Sequence, residues 1–295
     1  MGGTAFKNIP VRRIKLDEIR ETLDYFQSTI QYPGFDLDYI YDNLLGSVGK
    51  QPDSGDIDIA IDDIKFPWKK FKSHALLSFP EAQRAGNGKN TLQVNFAVPI
   101  CGDPENGFCQ IDLITGDPAW LKFTHYSPGS VSKYKGVYLS TLLGVMAKMD
   151  IGYLAGEDSV NAIAKVSWAY DLERGLRRRW MIVDDRGIYC EVDADRWESQ
   201  LGYLMDQGII PKGPTPRFSR VGYITDPERV VEILFKGLLT QAELVDFEVG
   251  FKTAIKIYGE QKDQLATRLI EALQRSGLKS SKNRDEIEES VRALL

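Results

Sequence analysis

The strongest constraint in the sequence is a short apolar segment that carries two closely spaced acidic residues. Residues 55–62 read GDIDIAID, so Asp56 and Asp58 stand two positions apart in a run of isoleucine and alanine. Period-two alternation predicts a β-strand, and side chains two apart on a strand project from the same face, about 7 Å apart. Two carboxylates in an apolar setting repel each other unless a cation lies between them. The segment therefore predicts a cation-binding strand, and all-oxygen ligands favour Mg²⁺ or Mn²⁺.

A second apolar strand supplies a third carboxylate. Residues 108–115 read FCQIDLIT, in which Asp112 is the only acidic residue. If this strand is a neighbour of the first, Asp112 reaches the same face as Asp56 and Asp58. Three carboxylates on adjacent strands can hold two metal ions, the arrangement used for in-line displacement at phosphorus. We therefore predict that Asp56, Asp58 and Asp112 are both the catalytic and the metal-binding residues.

The turn that precedes the first strand has the composition of a phosphate-binding loop. Gly46 allows the backbone to approach a phosphate closely, and Ser47 adds a hydroxyl donor. The segment GSVGK contains Gly-Lys, but its spacing does not fit a P-loop, so Lys50 is predicted only as an additional phosphate contact. Lys133 and Lys135 precede a helix and are predicted to bind a triphosphate, with an exposed interdomain loop as the alternative. These five residues form the predicted phosphate end of the site.

The spacing of apolar residues predicts an α+β fold in the first half of the chain. Predicted helices lie at 14–30 and 35–44, and predicted strands at 44–47, 55–62, 91–100 and 108–115. The last two strands are expected to form an antiparallel hairpin. We predict a mixed β-sheet with helices packed on one face.

The pattern changes near residue 135 and becomes mostly helical. The second half is predicted to contain helices at 136–149, 157–176, 193–208, 226–239 and 247–260 and a strand pair at 177–183 and 187–193. Two domains are therefore expected, a catalytic domain at 1–135 and a mainly helical acceptor-binding or accessory domain at 136–295.

Composition narrows the class of protein. The 295 residues carry a formal net charge of -5, which argues against a generally basic protein that coats nucleic acid. No segment approaches the roughly 18 apolar residues needed to cross a bilayer, and the N-terminus lacks the apolar core of a signal peptide. The three cysteines lack CxxC spacing, which predicts reduced thiols rather than a disulfide framework or a zinc site. We expect a cytoplasmic protein with no membrane contact.

Gly46-Ser47, residues 54–58 and the distant Asp112 together resemble the hallmark of the DNA polymerase β-like nucleotidyltransferase superfamily. That hallmark is an hG[GS] turn, a [DE]h[DE]h strand and a third carboxylate one or two strands later, and the resemblance covers roughly residues 40–115. It implies a nucleotidyltransferase-like sheet, an NTP donor and two divalent metal ions. The reaction it implies is transfer of a nucleoside monophosphate to an acceptor hydroxyl, with release of pyrophosphate.

The resemblance also implies a role for each residue. Asp56 and Asp58 would bind both metal ions, and Asp112 would bind the catalytic ion and help to activate the acceptor. Ser47 would hold the terminal phosphates of the nucleotide. One departure is the serine-glycine pair before Asp56, where family members often carry a basic or other polar residue.

The acceptor is left open by the sequence. Basic runs at 69–72 and 174–179, both close to aromatic residues, favour the 3′ hydroxyl of tRNA, another RNA or DNA, whereas solvated faces are the commoner explanation for such runs. A small molecule such as an aminoglycoside, or a protein hydroxyl, is the alternative acceptor. A catalytically silent binding module is an alternative of another class, against which the three retained carboxylates argue.

Overall fold

The computed structural model divides the chain into two compact units, Met1–Gly136 and Val137–Leu295. The structure describes residues 5–6, 8–85, 92–126, 136–149, 152–154, 163–183, 189–192, 206, 222–275, 288–289 and 291–295. The division lies one residue beyond the predicted domain boundary. Within these ranges, no helix is long and apolar enough to span a lipid bilayer.

The first unit is a mixed α/β unit built on a four-stranded sheet. Its strands are β1 (Ile14–Lys15), β2 (Asp53–Ser54), β3 (Ile57–Asp62), β4 (Arg84–Ala85), β5 (Gln93–Pro99) and β6 (Phe108–Gly116). Its α-helices are α1 (Ile19–Ile30), α2 (Leu37–Asp42), α3 (Trp68–Ser78) and α4 (Pro118–Thr124). The sheet has the order β3-β6-β5-β4, with β3 parallel to β6 and the other pairs antiparallel. The predicted mixed sheet and the predicted hairpin, which is β5–β6, are both confirmed.

Helix α1 begins later than the sequence pattern predicts. The helix was expected from residue 14, but Ile14 and Lys15 pair with Ser54 and Asp53 in the separate ribbon β1–β2. The guanidinium of Arg13 donates to Asp53 Oδ1 at 2.6 and 3.0 Å, which strengthens the ribbon. Because β2 ends two residues before Asp56, this pairing fixes the path of the chain into the acidic strand.

The main hydrophobic core lies on one face of the four-stranded sheet. Ile57, Ile59 and Ile61 of β3 are buried in a cluster that also contains Phe26 of α1 and Phe71 of α3. Successive side chains of a strand point to opposite faces. The acidic positions of β3 therefore lie on the face that the main core does not use.

A smaller apolar cluster covers part of this second face. It joins Leu45, Ala60 of β3, Ile114 of β6 and Leu121 of α4. Helix α4 starts after Asp117, whose Oδ1 accepts a hydrogen bond from Ala119 N–H at 2.9 Å. The prediction that helices pack on one face only is therefore wrong, because α4 packs on the face opposite to α1 and α3.

The second unit contains a four-stranded antiparallel sheet as well as helices. Its strands, in the order β10-β9-β8-β7, are β7 (Gly152–Leu154), β8 (Ile163–Asp171), β9 (Gly175–Val183) and β10 (Tyr189–Val192). Its helices are α5 (Gly136–Met149), α6 (Pro227–Leu234), α7 (Phe247–Ile257) and α8 (Lys262–Arg275). The predicted strand pair is confirmed as β9–β10, and α5, α6 and α7 lie within predicted helices. The predicted helix at 193–208 lies outside the described residues apart from Asp206.

The predicted helix at 157–176 is wrong over its described part. Residues 163–171 form β8, which pairs with β9 through a tight turn. Asp171 Oδ1 closes that turn by accepting hydrogen bonds from the backbone N–H groups of Glu173 at 3.0 Å and Arg174 at 2.9 Å. A short apolar run fits either a strand or a helix, and here cross-strand pairing decides. The described part of the second unit therefore combines its helices with a four-stranded sheet, of which the sequence pattern predicted only one strand pair.

Candidate functional site

The sheet topology brings the three predicted carboxylates together. Strands β3 and β6 are parallel neighbours, and their register places Asp58 directly beside Asp112. Asp56 immediately precedes β3. One carboxylate oxygen from each of the three residues lies within 4.8 Å of the others. The expectation that Asp112 reaches the face of Asp56 and Asp58 is thus confirmed.

The cluster formed by Asp56, Asp58 and Asp112, called here the acidic cluster, carries negative charge in a partly desolvated place. Burial, together with the neighbouring charges of Asp56 and Asp112, raises the pKa of Asp58 well above its usual range. Burial also raises the pKa of Asp56, and it raises the pKa of Asp112 to about 6. Among the described residues, no lysine or arginine forms a salt bridge with any of the three. A bound divalent cation would supply the missing compensation.

Three carboxamides that the sequence analysis did not single out surround Asp112. Asp112 Oδ1 accepts hydrogen bonds from Asn95 Nδ2 at 2.6 Å and from Gln110 Nε2 at 2.9 Å. Its Oδ2 accepts from Gln93 Nε2 at 3.0 Å and again from Gln110 Nε2 at 2.9 Å. These hydrogen bonds favour the ionised carboxylate and oppose the effect of burial on its pKa. The sequence hint is that Gln93 and Asn95 on β5, like Gln110 and Asp112 on β6, stand two positions apart and so share a face. Only the register that pairs Asn95 with Asp112 shows that these residues meet.

The loop before β3 brings the predicted phosphate end beside the acidic cluster. Leu45 N–H donates to the backbone oxygen of Asp58 at 2.9 Å. Gly46 adopts a φ of 66°, and a Cβ at this position would lie 3.8 Å from Asp58 Oδ2. Ser47 is partly buried in the same loop, and its backbone oxygen accepts from Lys50 N–H at 3.0 Å. The structure therefore places Gly46 against the acidic cluster, with Ser47 next to it in the chain.

Of the three lysines predicted to contact phosphate, the structure describes one. The Lys50 ammonium donates to the backbone oxygen of Gly46 at 2.9 Å and lies 5.8 Å from the ring centroid of Tyr126. Its position in the Gly46 loop is thus compatible with the predicted phosphate contact. Lys133 and Lys135 lie outside the described residues.

The two basic runs belong to different units. Lys69 and Lys70 are exposed on α3 of the first unit, and Lys72 lies 5.9 Å from the ring centroid of Trp68. In the second unit, the Arg177 guanidinium lies 5.6 Å from the ring centroid of Tyr223. Only the run at 69–72 therefore shares a unit with the acidic cluster.

The metal-free protein is expected to become more stable as the pH falls from about 7 to about 5. An acid whose pKa is raised by folding destabilises the folded state above that pKa, and this penalty disappears as the pH falls toward the unfolded value near 4. Asp112, with a pKa of about 6, and Asp58 with its raised pKa both act in this direction. Two groups have the opposite sign. The hydrogen bond to Arg12 lowers the pKa of Glu18 to about 2, and its contribution is lost mainly below about pH 4.5. Burial lowers the pKa of His125, which opposes the rise between about pH 7 and pH 5, so the comparison with Asp58→Asn isolates the acidic cluster.

Urea denaturation in the presence of a chelator, at several pH values, measures this dependence. In the matched variant Asp58→Asn the rise in the free energy of unfolding should be smaller, because one of the repelling charges is absent. A free energy of unfolding that falls between about pH 7 and pH 5 in the unmodified protein would contradict the electrostatic description of the acidic cluster.

The donor set of the acidic cluster fits a hard divalent cation. Its ligand atoms are all carboxylate oxygens, which suit Mg²⁺ and Mn²⁺ rather than the softer metals that thiolate and imidazole bind. Comparisons of the chain with models of protein families, with curated proteins and with solved structures give no match. The chemistry of the site is therefore inferred from its own residues and geometry.

Proposed function

We propose that the chain is a metal-dependent nucleotidyltransferase with a nucleotidyltransferase-like first unit, similar to the DNA polymerase β-like superfamily. The observation that carries the proposal is the convergence of Asp56, Asp58 and Asp112 from two parallel strands, with the Gly46 turn beside Asp58. The donor would be an NTP, because a triphosphate needs both a cation-binding acidic cluster and a loop that accepts phosphate oxygens.

The acidic cluster would hold Mg²⁺ or Mn²⁺, with Asp56 and Asp58 as its central ligands and Asp112 as the third. Such ions, when bound, neutralise the triphosphate and the charge that develops on its oxygens during transfer. The protein's own contribution is to fix the carboxylates on rigid strands. The backbone at Gly46 and the hydroxyl of Ser47 would receive the terminal phosphates.

The proposed reaction is a displacement at the α-phosphorus of the nucleotide. A bond forms between the acceptor oxygen and the α-phosphorus, while the bond from that phosphorus to the oxygen bridging to the β-phosphate breaks. The electron pair of the broken bond leaves with pyrophosphate. The hydroxyl proton would pass to a carboxylate of the acidic cluster, and Asp112 is the one to which the resemblance assigns this role.

A nucleic-acid 3′ hydroxyl is the acceptor that we rank first. Lys69 and Lys70 are exposed on α3 of the first unit, and exposed lysines are typical contacts for phosphate backbones. Because α3 packs on the sheet face opposite to the acidic cluster, these lysines would contact a part of the nucleic acid away from its 3′ end. An aminoglycoside and a protein hydroxyl are the competing acceptors. They differ from nucleic acid in that transfer to them should fall less steeply with added salt.

Label transfer tests the proposal directly. The full chain is incubated with each α-labelled NTP, Mg²⁺ or Mn²⁺, and one acceptor from a panel of total tRNA, single-stranded DNA, aminoglycosides and the protein itself. We expect transfer to one acceptor class, release of pyrophosphate, and loss of both in Asp56→Asn. Absence of transfer together with absence of cation-dependent NTP binding contradicts the proposal. NTP binding without transfer to any acceptor would instead support a silent binding module.

Substitution of Gly46 tests the phosphate end of the site, and Gly49 offers a matched control. Both glycines have positive φ, 66° and 75°, so alanine should cost each about 1–2 kcal/mol of stability. A Cβ on Gly46 would lie 3.8 Å from Asp58 Oδ2, whereas a Cβ on Gly49 would meet nothing within 4 Å. We expect kcat/KM to fall about tenfold or more in Gly46→Ala and less than about twofold in Gly49→Ala. Equal losses of kcat/KM in the two variants would contradict a phosphate-binding role for Gly46.

A further inference from the structure

The three carboxylates of the acidic cluster are not equivalent in their hydrogen bonding. Asp112 is 4% exposed and receives four N–H···O hydrogen bonds from Gln93, Asn95 and Gln110. Within the described part of the chain, neither Asp56 nor Asp58 accepts a hydrogen bond from another residue's side chain. Among the described residues, the cluster therefore combines one carboxylate that is held by amides with two that receive no side-chain hydrogen bond.

The hydrogen bonds to Asp112 engage both of its oxygens, and the amino group of Gln110 is shared between the two. A carboxylate has two oxygens with about four lone-pair positions, and each oxygen of Asp112 receives two of the four hydrogen bonds. Direct coordination of a cation requires one of these positions. A cation that approaches Asp112 from the side of these carboxamides must therefore displace at least one of them.

The carboxamide of Gln110 is itself held in place. Gln110 is 4% exposed, and its Oε1 accepts a hydrogen bond from Ala5 N–H at 3.1 Å, so its amino group is turned toward Asp112. That amino group reaches both oxygens of the carboxylate and occupies the position that a bidentate cation would take. Gln110 is therefore the strongest of the three constraints on Asp112.

Asp58 lies beside Asp56, Asp112 and the turn at Gly46. The carboxylate of Asp58 lies between those of Asp56 and Asp112, and no described lysine or arginine forms a salt bridge with it. Gly46 leaves the space next to Asp58 Oδ2 free of any side chain of its own. These two observations are independent of the amides around Asp112.

We propose that Gln93, Asn95 and Gln110 are positioning residues that hold Asp112 as a hydrogen-bonded outer carboxylate. The free protein then binds one divalent cation, between Asp56 and Asp58, and Asp112 becomes a direct ligand only after an amide has released it. This inference rests on the proposed function, because it concerns the order in which the same site is filled.

Titration with Mn²⁺ in the absence of nucleotide tests the inference without measuring turnover. Calorimetry and the paramagnetic resonance signal of free Mn²⁺ give the stoichiometry and Kd at about pH 8, well above the ordinary pKa of a carboxyl group. We expect one Mn²⁺ per chain, about tenfold or more weaker binding in Asp58→Asn, and a change of less than about threefold in Asp112→Asn. Two Mn²⁺ per chain in the unmodified protein, or equal losses in the two variants, would overturn the inference.

The variant Gln110→Met tests the positioning role, because it keeps the length of the side chain and removes two of the four hydrogen bonds to Asp112. We expect binding of a second Mn²⁺, since Asp112 regains free lone pairs. Gln27→Met is the matched control, because Gln27 Nε2 donates to the backbone oxygen of Phe35 and not to the acidic cluster. If both variants bind one Mn²⁺ per chain, and the only effect of Gln110→Met is a loss of stability, then Gln110 has a merely structural role and the inference is overturned.

The same titration separates failure of this inference from failure of the proposed function. No Mn²⁺ binding by the unmodified protein, with or without an NTP, would overturn both. Binding that depends equally on Asp56, Asp58 and Asp112 would overturn the inference alone and leave the proposed nucleotidyltransferase reaction in place.

Discussion

Replacing Asp58 with asparagine is expected to lower kcat/KM for nucleotide transfer by about 10²–10³-fold, the usual cost of removing one electrostatic contact to a transition state. Asp58 is the central member of the acidic cluster, since it lies between Asp56 in the chain and Asp112 on the neighbouring strand. Asparagine has nearly the same shape but no charge, so it cannot help to hold a divalent cation.

The same substitution is expected to stabilise the metal-free protein. Burial and two like charges raise the pKa of Asp58, which means that its ionised form is unfavourable in the folded state at neutral pH. Removing that charge should raise the free energy of unfolding by about 0.5–2 kcal/mol, as is common when a strained functional residue is relieved. Activity and stability should therefore change in opposite directions.

Asp62→Asn is the matched control for Asp58→Asn, because both residues belong to β3. Asp62 Oδ1 accepts hydrogen bonds from the N–H groups of Ile64 at 2.8 Å and Lys65 at 3.2 Å and so closes the turn after the strand. Its substitution should leave kcat/KM within about twofold, since Asp62 is not part of the acidic cluster. Steady-state label transfer and urea denaturation give the two readouts. An Asp58→Asn variant that retains transfer, or that loses both transfer and stability, would contradict the assigned role.

Adding Mg²⁺ or Mn²⁺ is expected to stabilise the folded protein strongly. A ligand that binds only the folded state at a concentration about 100 times its Kd raises the free energy of unfolding by about 2.7 kcal/mol. The cation also relieves repulsion among the three carboxylates, and this relief is already contained in the Kd that sets the size of the stabilisation. The midpoint of thermal unfolding should therefore rise with the concentration of the cation.

Thermal unfolding is measured with increasing MgCl₂ and, as a control, with NaCl at matched ionic strength. The double variant Asp56→Asn/Asp58→Asn should show no increase beyond that of NaCl, since its cation site is removed. A rise of the same size in the double variant would mean that the cation acts elsewhere, and no rise in the unmodified protein would contradict the metal site.

Strands β3, β5 and β6 were predictable because local pattern and tertiary context agree there, whereas the strand predicted at 44–47 forms only isolated bridges to Ile59 and Tyr126. The strict alternation of β3 and the hairpin β5–β6 have apolar and polar faces that the sequence shows directly. The segment that forms β8 lacks such agreement, because its apolar run fits both a helix and a strand. Pairing with β9 and the turn closed by Asp171 decide between them. That decision depends on residues outside the run, and for this reason the helix prediction fails.

The sequence by itself determines that Asp56 and Asp58 share one face of a strand, because the period of a β-strand is two. It also predicts a turn at Gly46 and shows that Asp112 is the only acidic residue in the segment at 108–115. Only the tertiary structure decides that β6 runs parallel to β3 with Asp58 beside Asp112.

The carboxamides around Asp112 are likewise a product of the tertiary structure. In the sequence, nothing distinguishes Gln93 and Asn95 from other polar residues of a strand. The antiparallel register of β5 and β6 brings both side chains within hydrogen-bond distance of Asp112. Strand order and register are fixed by the burial of entire faces, which involves residues far apart in the chain. Local pattern therefore identifies the three carboxylates. Only the folded sheet shows that carboxamides donate hydrogen bonds to Asp112, and that no described side chain donates one to Asp56 or Asp58.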